Sequence, residues 1–235
     1  KAADQGEAAA QRNLAAMYYH GRGLKQSDAE AAKWFRKAAD LGDLESQLEL
    51  GLMCINGQGV REDHAQGADW FRKAANKGSA VAQKNLGILY LKGQGVPLNA
   101  AEAAKWFRKA AELGEVQSQN ELGRLLVGGI GVPKDNAEAA TWFRKAADQG
   151  DPSAQRNLAT LYFVGQGVAQ DDAEALKWFL KSAEGGDAPS RYYLGLIYVR
   201  GRGVTQNLEE AFKQFRAGAE AGDAMAQNEL AFRYQ

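Results

Sequence analysis

Residues 82–111, AQKNLGILYLKGQGVPLNAAEAAKWFRKAA, contain the pattern that decides the fold. Its Trp-Phe pair recurs through the chain with a period of 36 residues, at Trp34, Trp70, Trp106, Trp142 and Trp178. The glycines follow the same period, as a single series and as a Gly-x-Gly series. An unbroken register of this kind indicates a repeat protein in which each unit packs on its neighbours.

Each unit reads as two helices. In the first unit, Ser27 with Glu30 three residues later predicts a capping box at the start of the second helix, and Gly42 predicts a left-handed cap at its end. Helices of about 12 to 14 residues are marginal alone and need packing partners. We therefore predict an all-α fold, an α/α superhelical solenoid of about six and a half helix-turn-helix repeats. It forms one domain over 1–235, with units near 7–42, 43–78, 79–114, 115–150, 151–186 and 187–222 and partial repeats at both ends.

Composition excludes several classes of protein. The 29 basic residues balance the 29 acidic ones, which argues against a protein built mainly to bind nucleic acid or an anionic membrane. No apolar run approaches the roughly 18 residues of a membrane span, so we expect no direct membrane insertion. The one cysteine cannot form an intramolecular disulfide. No signal-peptide pattern follows Lys1, so we expect targeting information to be absent or removed.

The repeated string resembles the Sel-1-like repeat, a relative of the tetratricopeptide repeat. The residues that carry the resemblance are Ala82 to Tyr90, Gly93-Gln94-Gly95-Val96 and Ala103 to Ala111, with copies along the whole chain. The resemblance implies a superhelix whose first helices line a concave groove, in a protein-binding scaffold of bacterial type. It favours a periplasmic or secreted location and leaves a cytoplasmic one open. The cysteine-rich branch, with a disulfide-bonded pair per repeat, is excluded because Cys54 is alone.

Motifs for chemistry are weak. No strand precedes the Gly-x-Gly pairs and no Gly-Lys-Ser/Thr follows them, so they are read as turns and not as phosphate loops. His20 and His64 lack a second ligand at metal spacing, and Cys54 stands where other repeats carry tyrosine, which predicts a core residue. In the Trp-Phe-Arg-Lys string, the aromatic residues are predicted to lie in the core, and the basic residues to lie on a surface that also carries acidic residues. The string is therefore not interpreted as a nucleic-acid site. We therefore expect no catalytic, cofactor or metal site, and no enzyme.

Departures from the repeat indicate where a ligand could be recognised. Ala9, Arg12, Asn13 and Ala16 share one face of the first helix by their spacing, and the resemblance implies that this face lines the groove. The predicted partner-binding residues there are Arg12, Asn13, Leu48, Glu49, Leu52, Lys84, Asn85, Ile88, Asn120, Glu121, Arg124, Arg156, Asn157, Tyr192, Tyr193 and Leu196. A solvated face under no constraint would vary in the same way, and this alternative stays open.

The mixed signs on this face predict a folded protein surface or an amphipathic segment as the ligand. We expect a non-enzymatic protein-protein interaction scaffold or adaptor, with no nucleic-acid partner. The alternatives are a structural or assembly subunit that binds through the solenoid ends, and a toxin-neutralising immunity protein. The sequence stops at Gln235 inside a predicted first helix, with Leu230 and Phe232 uncovered, which favours end-to-end association or a longer parent chain. A designed array is a further alternative.

Overall fold

The computed structural model describes residues 3 and 7–233. Within these residues the chain is all-α, as predicted, and contains no strand. The helices are α1 (Ala8–His20), α2 (Asp28–Asp40), α3 (Leu44–Asn56), α4 (His64–Asn76), α5 (Ala80–Lys92), α6 (Ala100–Glu112), α7 (Val116–Gly128), α8 (Asn136–Asp148), α9 (Pro152–Val164), α10 (Asp172–Glu184), α11 (Ala188–Arg200), α12 (Leu208–Glu220) and α13 (Ala224–Arg233). Odd-numbered helices are the first helices of the repeats, and even-numbered helices are the second.

The chain divides into two compact units, Lys1–Glu115 and Val116–Gln235. In the first unit, each first helix packs on the second helix of its own repeat, and α3 and α5 also pack on the second helix of the repeat before. The second unit follows the same rule, in which consecutive helices from α7 to α13 pack on one another. These contacts are those of an α-solenoid of helical repeats. The prediction of a single domain over the whole chain stays a prediction.

The core of each repeat is a phenylalanine of the second helix set against a small residue of the first. Phe71 and Phe143 are each 2% exposed. A Cβ atom added to Gly51 would lie 2.7 Å from the Phe71 ring, and one added to Gly123 would lie 2.5 Å from the Phe143 ring. The small residue therefore makes room for the ring, as the predicted close approach of the two helices requires. Burial of each ring stabilises the repeat by about 1.5–3 kcal/mol.

The capping boxes close on one side only. Ser27 accepts a hydrogen bond from the Glu30 amide, as predicted, at 3.3 Å. The Ser27 amide, however, donates to the carbonyl of Tyr18 at 3.0 Å. It therefore already has an acceptor other than the Glu30 carboxylate. That carboxylate instead accepts from Lys33 Nζ at 3.0 Å. The reciprocal half of the predicted box is thus wrong, because the carbonyl of the preceding helix already satisfies the N-cap amide.

The Gly-x-Gly pairs end the first helices and also hold successive repeats together. Gly57 and Gly59 both have left-handed backbones, with φ of 65° and 68°. A Cβ atom on Gly59 would lie 2.2 Å from the carbonyl oxygen of Asp28 at the start of α2. The turn therefore lies directly against the preceding repeat, which only glycine allows. The predicted role of the Gly-x-Gly pairs as turns is confirmed. Two other residues named in the predictions, Gly6 and Gln235, lie outside the described residues.

Candidate functional site

The predicted site lies on the first helices, at the positions equivalent to Arg12, Asn13 and Ala16 in each repeat. We call this set of positions the first-helix face. Its side chains range from buried to exposed: Asn120 is 8% exposed, whereas Leu52 is 38% exposed. The face therefore contains both buried packing residues and exposed residues. The contacts of each side chain show to which group it belongs.

Three basic residues of the face hold adjacent repeats together. Arg12 Nη1 lies 3.1 Å from Asp43 Oδ2, and Arg156 Nη1 lies 2.8 Å from Asp187 Oδ1. Asp43 and Asp187 are also the N-caps of α3 and α11, the next first helices. Lys84 pairs in the same way with a carboxylate of the next repeat, at 3.1 Å. These three cations are paired within the protein and link each repeat to the next.

Arg124 and Glu121 form a pair within α7. Arg124 Nη1 lies 3.0 Å and 2.9 Å from the two carboxylate oxygens of Glu121. Asn157 Nδ2 donates to Asn120 Oδ1 at 2.9 Å and links α9 to α7. These four polar side chains of the face are therefore paired within the face.

Tyr192 and Tyr193 belong to an aromatic cluster between repeats. The Tyr193 ring stacks on Phe179, with centroids 4.8 Å apart and planes inclined by 8°. Tyr192 lies 6.1 Å from the Phe215 ring. Burial raises the pKa of Tyr192, and the negative charge of Glu229 raises it further. Replacement of both tyrosines by alanine would therefore disturb packing as well as any binding.

Glu49 differs from the other charged residues of the face. It makes no hydrogen bond or ion pair with any residue that the structure describes. Burial raises the pKa of Glu49, His20 lowers it, and Glu45 raises it. A half-buried carboxylate that makes no hydrogen bond or ion pair is unfavourable for folding, which marks this position as a candidate for a role other than stability.

Two clefts open on the face. The α1–α3 cleft has a volume of about 350 Å³ and is lined by Arg12, Asn13, Ala16, Tyr19, His20, Phe35, Glu45 and Glu49. The α7–α9 cleft has a volume of about 280 Å³ and is lined by Arg124, Val127, Gly128, Phe143, Asn157, Thr160, Leu161, Val164 and Gln166. Five of the predicted residues come together in these clefts. The remaining predicted residues line neither, namely Leu48, Leu52, Lys84, Asn85, Ile88, Asn120, Glu121, Arg156, Tyr192, Tyr193 and Leu196.

Sequence reasoning missed the residues one helical turn from the predicted positions. Tyr19 follows Ala16 by three residues and Val127 follows Arg124 by three, while Glu45 precedes Glu49 by four. Residues at these separations share a helix surface. Extension of the face by one turn in each direction would have found them.

In the part of the chain that the structure describes, no group of three or more His, Cys, Asp or Glu side chains is placed to hold a metal ion. No described helix combines the length and the apolar character needed to cross a membrane. Cys54 is fully buried, which confirms the predicted core role, and burial raises the pKa of its thiol.

Comparison with known proteins identifies the repeat. The Sel1 repeat model matches six consecutive segments, at 8–43, 44–79, 80–115, 116–151, 152–187 and 188–223. No curated protein is significantly similar to the chain.

Solved structures share the fold. One is c5321, a protective antigen of uropathogenic Escherichia coli strains with an SLR fold. It is 40% identical with a TM-score of 0.90, and the match covers 98% of this chain and 49% of that one. The present chain thus spans about half of its length. A Sel1 repeat protein from Oxalobacter formigenes is 34% identical, with a TM-score of 0.77, over 92% of this chain and 89% of that one. With six matched repeats, the chain belongs to the Sel1 repeat family.

Proposed function

We propose that this chain is a non-enzymatic scaffold that binds a protein or peptide partner along the first-helix face. Sel1 repeat proteins generally mediate protein-protein interactions. The observation that carries the proposal is the pair of clefts on this face, because their lining varies while the framework around them repeats. Concave sites with a few polar groups are where ligands bind by preference.

The outer surface of the second helices is a weaker candidate because it is uniform. Lys37 lies 3.7 Å from the centre of the Trp34 ring, and Lys73 lies 3.6 Å from that of Trp70. The same contact recurs in the next three repeats. Cation-π contacts of this kind cover the tryptophan faces and leave little to distinguish one repeat from another. Specific recognition needs differences, and the first-helix face supplies them.

The α7–α9 cleft has the chemistry of an anchor pocket. Val127, Leu161 and Val164 give it apolar walls, and Val164 is 47% exposed. Arg124 and Asn157 add polar groups to the lining. An apolar side chain of a partner would bury itself against these walls.

The test is a selection of displayed peptides against the chain, followed by affinity measurements on the enriched sequences. The variant Leu52→Asp places a charge on the first-helix face, and Val164→Asp places one in the α7–α9 cleft that opens on this face; both positions are exposed. Leu98→Asp and Leu208→Asp are matched controls, because these leucines are 73% and 60% exposed and lie outside the face. We expect a loss of about tenfold or more for at least one face variant and none for the controls, since hot-spot contacts carry most binding energy. Equal affinity for all four variants would refute the proposal.

Assembly through the ends is a second candidate, because α13 carries apolar side chains in solvent. Met225 is 52% exposed and Phe232 is 85% exposed. Analytical ultracentrifugation over a range of protein concentrations tests this assembly. A monomer at every concentration would refute it. Phe232→Ser should abolish any association that is seen. Toxin neutralisation stays a prediction from the sequence.

A further inference from the structure

Glu49 is the one carboxylate of the described α1–α3 cleft that lacks a partner among the described residues. The cleft also contains Glu45, but Arg12 Nη1 lies 2.8 Å from Glu45 Oε2 and 3.1 Å from Asp43 Oδ2. Arg12 thus already serves two carboxylates. Glu49 therefore lies in the cleft without a hydrogen-bonded or ion-paired cation, and only the charge of the neighbouring His20 acts on it to lower its pKa.

A second repeat of the chain shows what is missing. Glu121 occupies the position of Glu49 two repeats later, and there Arg124, three residues further on, holds both of its carboxylate oxygens. The residue three positions after Glu49 is Leu52. The same backbone position therefore has an internal guanidinium in one repeat and none in the other.

The walls of the cleft suit a cation with an apolar stem. Tyr19 supplies aromatic surface, Ala16 leaves space beside it, and the buried Phe35 ring forms the floor. Asn13 adds an amide that can accept a hydrogen bond. A guanidinium packs on aromatic rings and donates to carboxylate and amide oxygens at once, whereas an ammonium is more strongly hydrated and packs less well. A volume of about 350 Å³ admits one such side chain with room for its backbone at the rim.

We propose that the α1–α3 cleft receives a cationic side chain of a protein or peptide partner, arginine before lysine, with Glu49 as its counter-ion. This rests on the proposed function and names the chemistry of the partner at one point of the first-helix face. It explains why an unpaired carboxylate is kept half-buried, since the partner supplies the charge that Arg124 supplies to Glu121.

The experiment is an NMR titration of the full chain with two probes. The first is Nα-acetyl-arginine methylamide, and the second is the citrulline derivative, which has the same shape without the charge. We expect saturable shifts of the Asn13, Ala16 and Glu49 amides with the arginine probe, and affinity at least about tenfold weaker with citrulline, since charge-assisted hydrogen bonds are much stronger than neutral ones. Equal affinity for both probes, or no saturable shift, would overturn the inference.

Three variants locate the site. Glu49→Gln keeps the shape and removes the charge, and Leu52→Arg places an internal guanidinium where Arg124 stands relative to Glu121. Each of these two variants should lower the affinity for the arginine probe by about tenfold or more. Glu112→Gln, at an exposed position of α6, is the control and should leave binding unchanged. Unchanged binding in Glu49→Gln, with the fold intact by circular dichroism, would also overturn the inference.

The two proposals fail in different ways. If the arginine probe does not bind but selected peptides still lose affinity in Leu52→Asp or Val164→Asp, the cationic site is wrong and the scaffold proposal stands. If the probe binds and no face variant affects any selected peptide, the scaffold proposal is wrong and the cleft is a cation site of another use.

Discussion

The α1–α3 cleft and the α7–α9 cleft lie at equivalent positions of the repeat, three repeats apart in the sequence. Phe35 lines the first and Phe143 the second, at equivalent positions. The other equivalent positions differ: Tyr19 becomes Val127, His20 becomes Gly128, Ala16 becomes Arg124 and Glu49 becomes Asn157. The negative charge of one cleft is replaced by a neutral amide and a cation in the other.

A regular framework can thus carry different side chains at equivalent positions. The packing residues fix the two helices around each cleft, and the side chains on the lining can change without effect on that packing. One scaffold therefore presents an acidic cleft in one unit and a mainly apolar one in the other.

The largest expected effect is on the shared wall. Phe35 and Phe143 are 4% and 2% exposed, and each packs against a small residue of the neighbouring first helix, Ala15 or Gly123. We expect Phe35→Ala and Phe143→Ala each to lower the free energy of unfolding by about 3–5 kcal/mol, through lost burial and the cavity that remains. Denaturant unfolding followed by circular dichroism measures this. A full effect at one position and none at the other would contradict a common framework.

The next effect separates the cations that build the repeat from those that line a cleft. Asp187, whose side chain is 8% exposed, loses its cation in Arg156→Leu, and we expect a cost of about 1–3 kcal/mol. Arg124 is 62% exposed and its pair lies within one helix, so Arg124→Leu should cost no more than about 0.5 kcal/mol. Unfolding of the two variants under one condition gives the comparison. Equal losses would show that exposure does not separate the two roles.

Much of the fold could be predicted from the period alone, and the reason is physical. Trp34, Gly57 and Phe71 recur because packing and left-handed turns tolerate few alternatives, so their spacing encodes the helices directly. The state of Glu49 could not be predicted in this way. Glu49 and Glu121 look equivalent in the sequence, and only the presence of a cation one turn away makes one paired and the other unpaired.

A smaller effect concerns the buried glutamines, which differ from one repeat to another. Gln83 Oε1 in the first unit is buried without a hydrogen-bond partner, whereas Gln119 Oε1 in the second accepts from Gln149 Nε2 at 2.9 Å. Leu113, which is 58% exposed, occupies the position of Gln149. We expect Leu113→Gln to raise the free energy of unfolding by about 0.5–1.5 kcal/mol, because it supplies the missing donor.

The control for this gain is Leu113→Ser, which removes the same exposed leucine but is too short to reach Gln83. Thermal and denaturant unfolding of both variants separate the hydrogen bond from the loss of surface apolar area. A gain in the serine variant as large as that in the glutamine variant would assign the effect to the surface and not to the buried oxygen.

The smallest effect, and the most diagnostic of the two linings, is at Glu49 and Glu121. The folded state raises the pKa of Glu49 above 4.5, chiefly through burial. Above the folded pKa the ionised carboxylate therefore favours the unfolded chain, and this penalty is absent below the unfolded pKa, where both states hold the proton. Glu49→Gln should raise the melting temperature at pH 7, and its gain over the parent chain should shrink as the pH falls towards 3.5.

Glu121→Gln should behave in the opposite way at pH 7, because it breaks the pair with the exposed Arg124, with a cost of about 0.2–0.5 kcal/mol. Differential scanning calorimetry of both variants across this pH range gives the two signs directly. The same sign for both variants at pH 7 would mean that Glu49 already has a counter-ion, and the acidic character of the α1–α3 cleft would then lose its physical basis. Opposite signs would mean that the ionised carboxylate of Glu49 destabilises the folded chain whereas that of Glu121 stabilises it. That is the result expected if Glu49 is the position that pairs with a cationic side chain of a partner.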